Sequence, residues 1–123
     1  MRVPIDELNQ AIDTEGLKVN SAIFGDMVVA HLRRNASVEM PQLAKGLADD
    51  VCPCPHWGYV LAGSIIISYK DGTEERIQAG DVFYCPPGHN YRYDEDAAAI
   101  EFSPLAQMRP VAEAINRNLA EAS

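Results

Sequence analysis

The sequence has 123 residues, 47% apolar and 23% charged, with 18 acidic against 10 basic side chains and a formal net charge of −8. That length fits one domain with its own core and no need for disulfide staples. The acidity sets the chain against phosphate backbones and anionic lipid, so nucleic acid and a polybasic membrane contact are excluded as first readings. No apolar run approaches the roughly 18 residues that cross a bilayer. The start, Met1 to Glu7, has no secretory core, and a cytosolic setting is expected. Three cysteines, Cys52, Cys54 and Cys85, are an odd number that agrees with a reducing compartment.

Residues 5–13 (IDELNQAID) carry Ile5, Leu8 and Ile12 at the spacing of a short helical turn. After Gly16 the pattern becomes strand-like. Residues 17–24 (LKVNSAIF), a Gly25-Asp26 turn and 27–34 (MVVAHLRR) read as two strands of a hairpin or meander. Residues 35–51 hold Asn35, Pro41, Gly46 and Asp49-Asp50 and read as a long loop, a length that often serves as a lid or binding loop. The strongest β signal spans 56–70, with Tyr59-Val60-Leu61 and Ile65-Ile66-Ile67-Ser68-Tyr69 flanking Gly63. Asp71-Gly72 supplies a tight turn, 73–78 a return strand, and Ala79-Gly80-Asp81 a second turn. Residues 82–85 form a short strand stopped by Pro86-Pro87-Gly88. Tyr91-Arg92-Tyr93 and 98–102 give two more strands around Asp94-Glu95-Asp96. Beyond Ser103-Pro104, the residues Met108, Val111, Ala112, Ile115 and Leu119 recur at helical spacing. They predict an amphipathic helix over 105–121, with Pro110 in its first turn. Its apolar stripe must cover the outside of a sheet or a partner subunit. The order of elements predicts a single all-β sandwich or barrel with a C-terminal α-helix.

Two stretches carry more than fold class. Residues 52–81 read CPCPHWGYVLAGSIIISYKDGTEERIQAGD, and residues 80–91 read GDVFYCPPGHNY. Over residues 24–104 the chain resembles the cupin superfamily, which implies a small double-stranded β-helix, or jelly-roll barrel. The family's second motif runs G-x5-P-x-G-x2-H-x3-N. Gly80, Pro86 and Gly88 match its spacing, Tyr91 stands at the histidine's place and Glu95 at the asparagine's. His89 lies two residues earlier. The first motif ends in an acid followed, after six residues, by a glycine. Gly63 matches that glycine, His56 takes the acid's place, and Asp50 and Cys52 take those of the two histidines. The usual three-histidine, one-glutamate ligand set is thus absent. The wording CPCPHWGYV…PPGH is similar to a small single-domain bacterial cupin subgroup.

Cys52, Cys54, His56 and His89 are the candidate replacement. The first three recur at period two, and Pro53 and Pro55 push their predecessors extended. Alternate residues of an extended segment share a side, so three ligands would converge. The resemblance places His89 across the barrel as a fourth. Thiolate and imidazole suit zinc, and iron less exclusively. In the competing reading the cysteines are small buried apolar groups and His56 is a hydrogen-bonded core histidine. C-x-C is a rarer zinc half-site than C-x-x-C, and only Cys52 and His56 stand at cupin ligand positions. A Cys52–Cys54 disulfide is disfavoured by geometry.

Cys85 reads as a buried apolar cysteine and His31 as a packed or edge histidine. Trp57 should face away from His56, into sheet packing. Under the motif alignment Tyr91 faces the barrel interior, to bind a ligand or to fill volume with one hydrogen bond. Glu101, between Ile100 and Phe102, points either inward or outward. Inward, it joins Tyr91 as a ligand-binding residue, needs a partner and has a raised pKa. Outward, it is a solvated charge, the simpler reading. Asp49-Asp50 and Glu74-Glu75 read as solvated faces.

The leading functional reading is a barrel that binds a small molecule beside one divalent metal, zinc or iron, with or without catalysis. Full Cys2His2 ligation would close a zinc site and make it structural. The alternative is a metal-free ligand-binding or sensing module with Tyr91 and His89 at its mouth. A cysteine redox sensor ranks third, because Asp49 and Asp50 raise a nearby thiol's pKa. A homodimer is expected from exposed strand edges, the helix stripe and the habit of the family. A carboxylate-rich ligand is disfavoured, since Arg92 should face out.

Overall fold

Among the described residues, short apolar alternations between turn residues build nine strands and one long helix. The computed structural model describes residues 1–122. Strand β1 (Asn9–Asp13) pairs with β2 (Leu17–Phe24), and β2 forms the expected hairpin with β3 (Met27–Arg34). Strands β4 (His56–Ala62) and β5 (Ser64–Tyr69) follow the long loop. Then come β6 (Glu74–Gln78), β7 (Val82–Cys85), β8 (His89–Arg92) and β9 (Ala97–Pro104).

The strands form two antiparallel sheets, six-stranded in the order β1-β2-β3-β9-β4-β7 and three-stranded in the order β6-β5-β8. The expected jelly-roll class is what the chain adopts. Gly63 is the corner where the chain passes from one sheet to the other. Its φ is +66°, and a Cβ there would lie 1.8 Å from the Asp96 carbonyl oxygen. No L side chain fits that corner. Between the sheets lie Leu32, Val60, Ile65, Ile67, Ile77 and Phe83, with Cys85, Ala97 and Ala99 beside them. Cys85 is therefore the buried apolar cysteine expected.

Two expectations change. Only Ile5–Glu7 turns, as a short 3-10 segment, and residues 9–13 extend the six-stranded sheet as β1. That stretch holds a single apolar side chain besides Ala11, too few for a helix stripe, while edge pairing satisfies its backbone. Helix α1 (Leu105–Ala122) starts where expected, and Pro110, its sixth residue, lies in the second turn rather than the first.

The helix buries Val111, Ala114 and Asn118. Val111 packs with Cys52 and Cys54, joined by Leu47, Met108 and Ile115. The Asn118 amide donates to the carbonyls of Leu43 and Lys45, at 2.8 and 2.9 Å. The stripe is thus spent on the chain's own long loop and fixes the segment that leads into Cys52. Among the described residues no helix is long and apolar enough to cross a membrane.

Candidate metal centre

Three segments meet where the long loop enters β4. Cys52 forms an isolated bridge with His89. Its N–H donates to the His89 carbonyl at 2.8 Å, and its own carbonyl accepts from Gly88 N–H at 2.8 Å. His56 opens β4, and His89 opens β8 just after the Pro-Pro-Gly turn. Cys52, His56 and His89 are all buried, at 8%, 4% and 2% exposure. Cys52 Sγ lies 3.6 Å from His56 Nε2. The two imidazole rings are 4.9 Å apart, edge to face. One ligand atom from each of the three residues lies within 4.8 Å of the others.

The outer nitrogens of both rings are occupied. His89 Nδ1 is 2.8 Å from the Pro86 carbonyl. A carbonyl only accepts, so Nδ1 carries the proton and Nε2 the lone pair. His56 Nδ1 lies 2.6 Å from Ser103 Oγ, with Nε2 towards Cys52. Such partners orient an imidazole for a metal. Burial pushes both imidazoles down to about 4, so they are neutral near pH 7. Burial pushes the Cys52 thiol up to about 11.

Cys54 does not join this group. The chain bends at Cys54 rather than staying extended, so the period of two is broken there. Its thiol is fully buried in the cluster with Val111 and lies 3.4 Å from the Pro55 carbonyl as a donor. His89 comes from β8 in the three-stranded sheet, across from β4 and His56, and the Gly88-His89 backbone also hydrogen-bonds to Cys52.

Tyr91 faces inward as expected. It stacks on His89 at 5.4 Å and lies 6.2 Å from His56. Its hydroxyl donates to Glu101, which is 7% exposed. The solvated-charge reading of Glu101 is overturned. Its register partners, Ala30 and Gly58, are small and leave room on the inner side of the sheet. Burial raises the Glu101 carboxyl, against a lowering by the Tyr91 hydroxyl and by His89. Burial and the neighbouring Glu101 hold the Tyr91 phenol well above its ordinary value.

The overall fold recurs in solved structures. An RmlC-like cupin from Shewanella frigidimarina matches with a TM-score of 0.57 and 19% identity, over 83% of this chain and 88% of that one. This chain has the cupin fold. Ectoine synthase from P. lautus matches at 0.60 and 15% identity, over 85% and 78% of the two chains. FeII HppE matches at 0.59 and 14% identity, over 84% and 59%. No protein-family model matches the sequence, and no curated protein sequence matches it. Identities this low carry the fold and not an activity.

Ser103 and the Pro86 carbonyl are the contributors that sequence reasoning missed. Glu101 and Ser103 are polar residues two apart in an otherwise apolar strand, which was the available signal. Asp50, at a family ligand position, is exposed and accepts from Gly46 N–H at 2.9 Å. Asp49 is exposed and pairs with Lys70 at 2.5 Å. His31 sits opposite Asn20 and Ile100, away from the centre. Two open surface clefts, one at Tyr69 and Pro87 and one at Arg33 and Asp96, have none of the three clustered residues in their walls.

Proposed function

We propose that this cupin holds one divalent metal, zinc or iron, on Cys52, His56 and His89, and uses it on a small molecule bound beside Tyr91 and Glu101. The observation that carries this is the convergence of three buried donors, with both histidines oriented through Nδ1. The donor set fits such an ion. Zinc–nitrogen and zinc–sulfur bonds of about 2.0 and 2.3 Å put tetrahedral ligand atoms about 3.5 Å apart. The Cys52–His56 separation of 3.6 Å meets that spacing. Three protein donors leave a position open for a ligand, the pattern of catalytic rather than structural zinc. Cys54, the residue that would close it, packs with Val111 instead.

Bound metal would supply Lewis acidity toward a ligand oxygen. The protein's own contribution is binding and proton control. Tyr91 offers a flat aromatic wall stacked on His89. Burial favours the acid form of Glu101, and the Tyr91 hydroxyl occupies one of its oxygens. The other carboxyl oxygen is left to meet a ligand, in a site from which water is largely excluded. FeII HppE, a neighbour in fold, supports iron as one choice, and the thiolate supports zinc. Three unpaired cysteines support a reducing, cytosolic setting.

The test is metal content per chain by mass spectrometry on reduced, tag-free protein. About one zinc or iron per chain is expected, lost in Cys52→Ser and in His56→Ala. No metal after anaerobic reconstitution would overturn the reading and leave a metal-free ligand-binding module.

A further inference from the structure

We propose that the cleft beside Arg33 and Arg34 binds a small oxyanion, the phosphate or carboxylate head of a small molecule. Strand β4 runs from His56 at the candidate centre to Ala62, which lines this cleft. At about 3.3 Å per residue the two places lie roughly 20 Å apart. The cleft is thus a second site, and its occupancy does not depend on the metal reading. It measures about 410 Å³, a volume within the range of small-molecule sites.

Charge marks the place. The chain has 10 basic side chains against 18 acidic ones, yet Lys18, Arg33 and Arg34 line this one cleft. Lys18 stands directly opposite Arg33 across the β2–β3 ladder. Like charges so paired cost stability, and a sequence keeps such a cost where a site needs it. Lys18 has a carboxylate partner, Asp13 at 2.9 Å. Arg33 and Arg34 take part in none of the four ion pairs among the described residues.

Arg34 is already oriented. It is half-buried, and its guanidinium carbon lies 5.4 Å from the centroid of the Tyr93 ring. Its Nη1 donates to the carbonyls of Gly16, at 3.2 Å, and of Asn35. Among the described residues its Nη2 and Nε make no hydrogen bond, so one edge of the planar fork is left for a ligand. A guanidinium stacked and tied in this way loses little further freedom on binding. Arg33 is exposed beside it and spends one nitrogen on Asn20.

The rest of the lining sets the size of the ligand. Ala62, Ala97 and Ala98 keep the floor small, and the β4–β9 register shifts between Val60 and Ala62. Bulges of this kind recur beside functional sites. Two carboxylates also line the cleft. Asp96 accepts from Ala36 N–H at 2.8 Å, and Glu15 is exposed. Three cations against two carboxylates suit one anionic head. A polyanion is repelled by the net charge of −8.

Amide chemical shifts of isotope-labelled protein test this, with orthophosphate and acetate titrated separately at constant ionic strength in chloride. Saturable shifts at Lys18, Arg34, Asn35 and Ala98 are expected with at least one probe, at a Kd of about 1 mM or below. The tighter probe names the head group. Arg34→Lys keeps the charge but loses the stacked fork, and should weaken binding about tenfold or more. Arg34 also ties two carbonyls, so Arg33→Gln, at an exposed position, is the second variant. It should weaken binding about threefold or more and leave the rest of the spectrum unchanged. Arg92→Gln, on β8 and paired with Glu74, should leave Kd unchanged. Shifts that grow linearly with both probes would overturn the proposal. So would saturable binding that neither Arg34→Lys nor Arg33→Gln weakens, or that Arg92→Gln weakens as much.

Discussion

A carboxyl buried in an apolar strand ties the protein's stability to pH. Glu101 has a folded-state pKa above its unfolded value, chiefly through burial. Its contribution is therefore fully present below the unfolded pKa and is lost as pH rises through the folded one. Glu101→Gln removes that loss. In metal-free protein, urea midpoints should show the variant gaining on the wild type as pH is raised from acid to neutral. Parallel profiles would mean that the carboxyl is not strained. The two neighbouring cysteines should separate as cleanly. Cys54→Ala should lower stability by about 1–2 kcal/mol through the space left against Val111 while metal content holds, whereas Cys52→Ala should abolish metal. That Cys52 and His56 belong to one cluster was legible, since both stand at positions aligned with cupin ligands. Which way they point was less so. The bend at Cys54 is a backbone event that period two conceals. Glu101 read as solvated because Ile100 and Phe102 beside it gave no polar contrast.

At the scale of elements, turn glycines and alternation exposed most strands, because a half-buried sheet imposes period two. The limits of β2 and β3 match the sequence reading residue for residue. β1 was not legible, since an edge strand with little apolar content carries no pattern of its own. The function of the helix stripe was not legible either, because its partner is an irregular loop. The tightest joint is Gly58 in β4. A Cβ there would sit 2.2 Å from the Ile100 carbonyl oxygen and 2.6 Å from the Phe83 ring. Gly58→Ala must part β4 from β9 or displace Phe83. It should cost about 2–4 kcal/mol, read as a lowered denaturation midpoint.

At the scale of the whole molecule, a metal that binds only the folded chain adds its binding energy to folding. At a hundredfold excess over Kd this is about 2.7 kcal/mol. For a domain of this size, a strong chelator should lower Tm by about 10 °C. Cys52→Ser should melt at the same temperature with and without chelator. A wild-type Tm indifferent to chelation would show that the cluster binds no metal in solution.

β9 lies between β3 and β4 in the six-stranded sheet, although it is the last strand made. The long-separated pairings it completes are the slow kind to form. Ser103, which orients His56, lies 47 residues downstream of it. During synthesis Cys52, His56 and His89 therefore leave the ribosome before the strand that seats His56. For that interval a nascent chain carries the three proposed donors without the frame that sets their geometry, and an ion captured then would meet a flexible peptide rather than a site. Under the proposed metal reading, translation speed through the last strand bears on which ion is taken up.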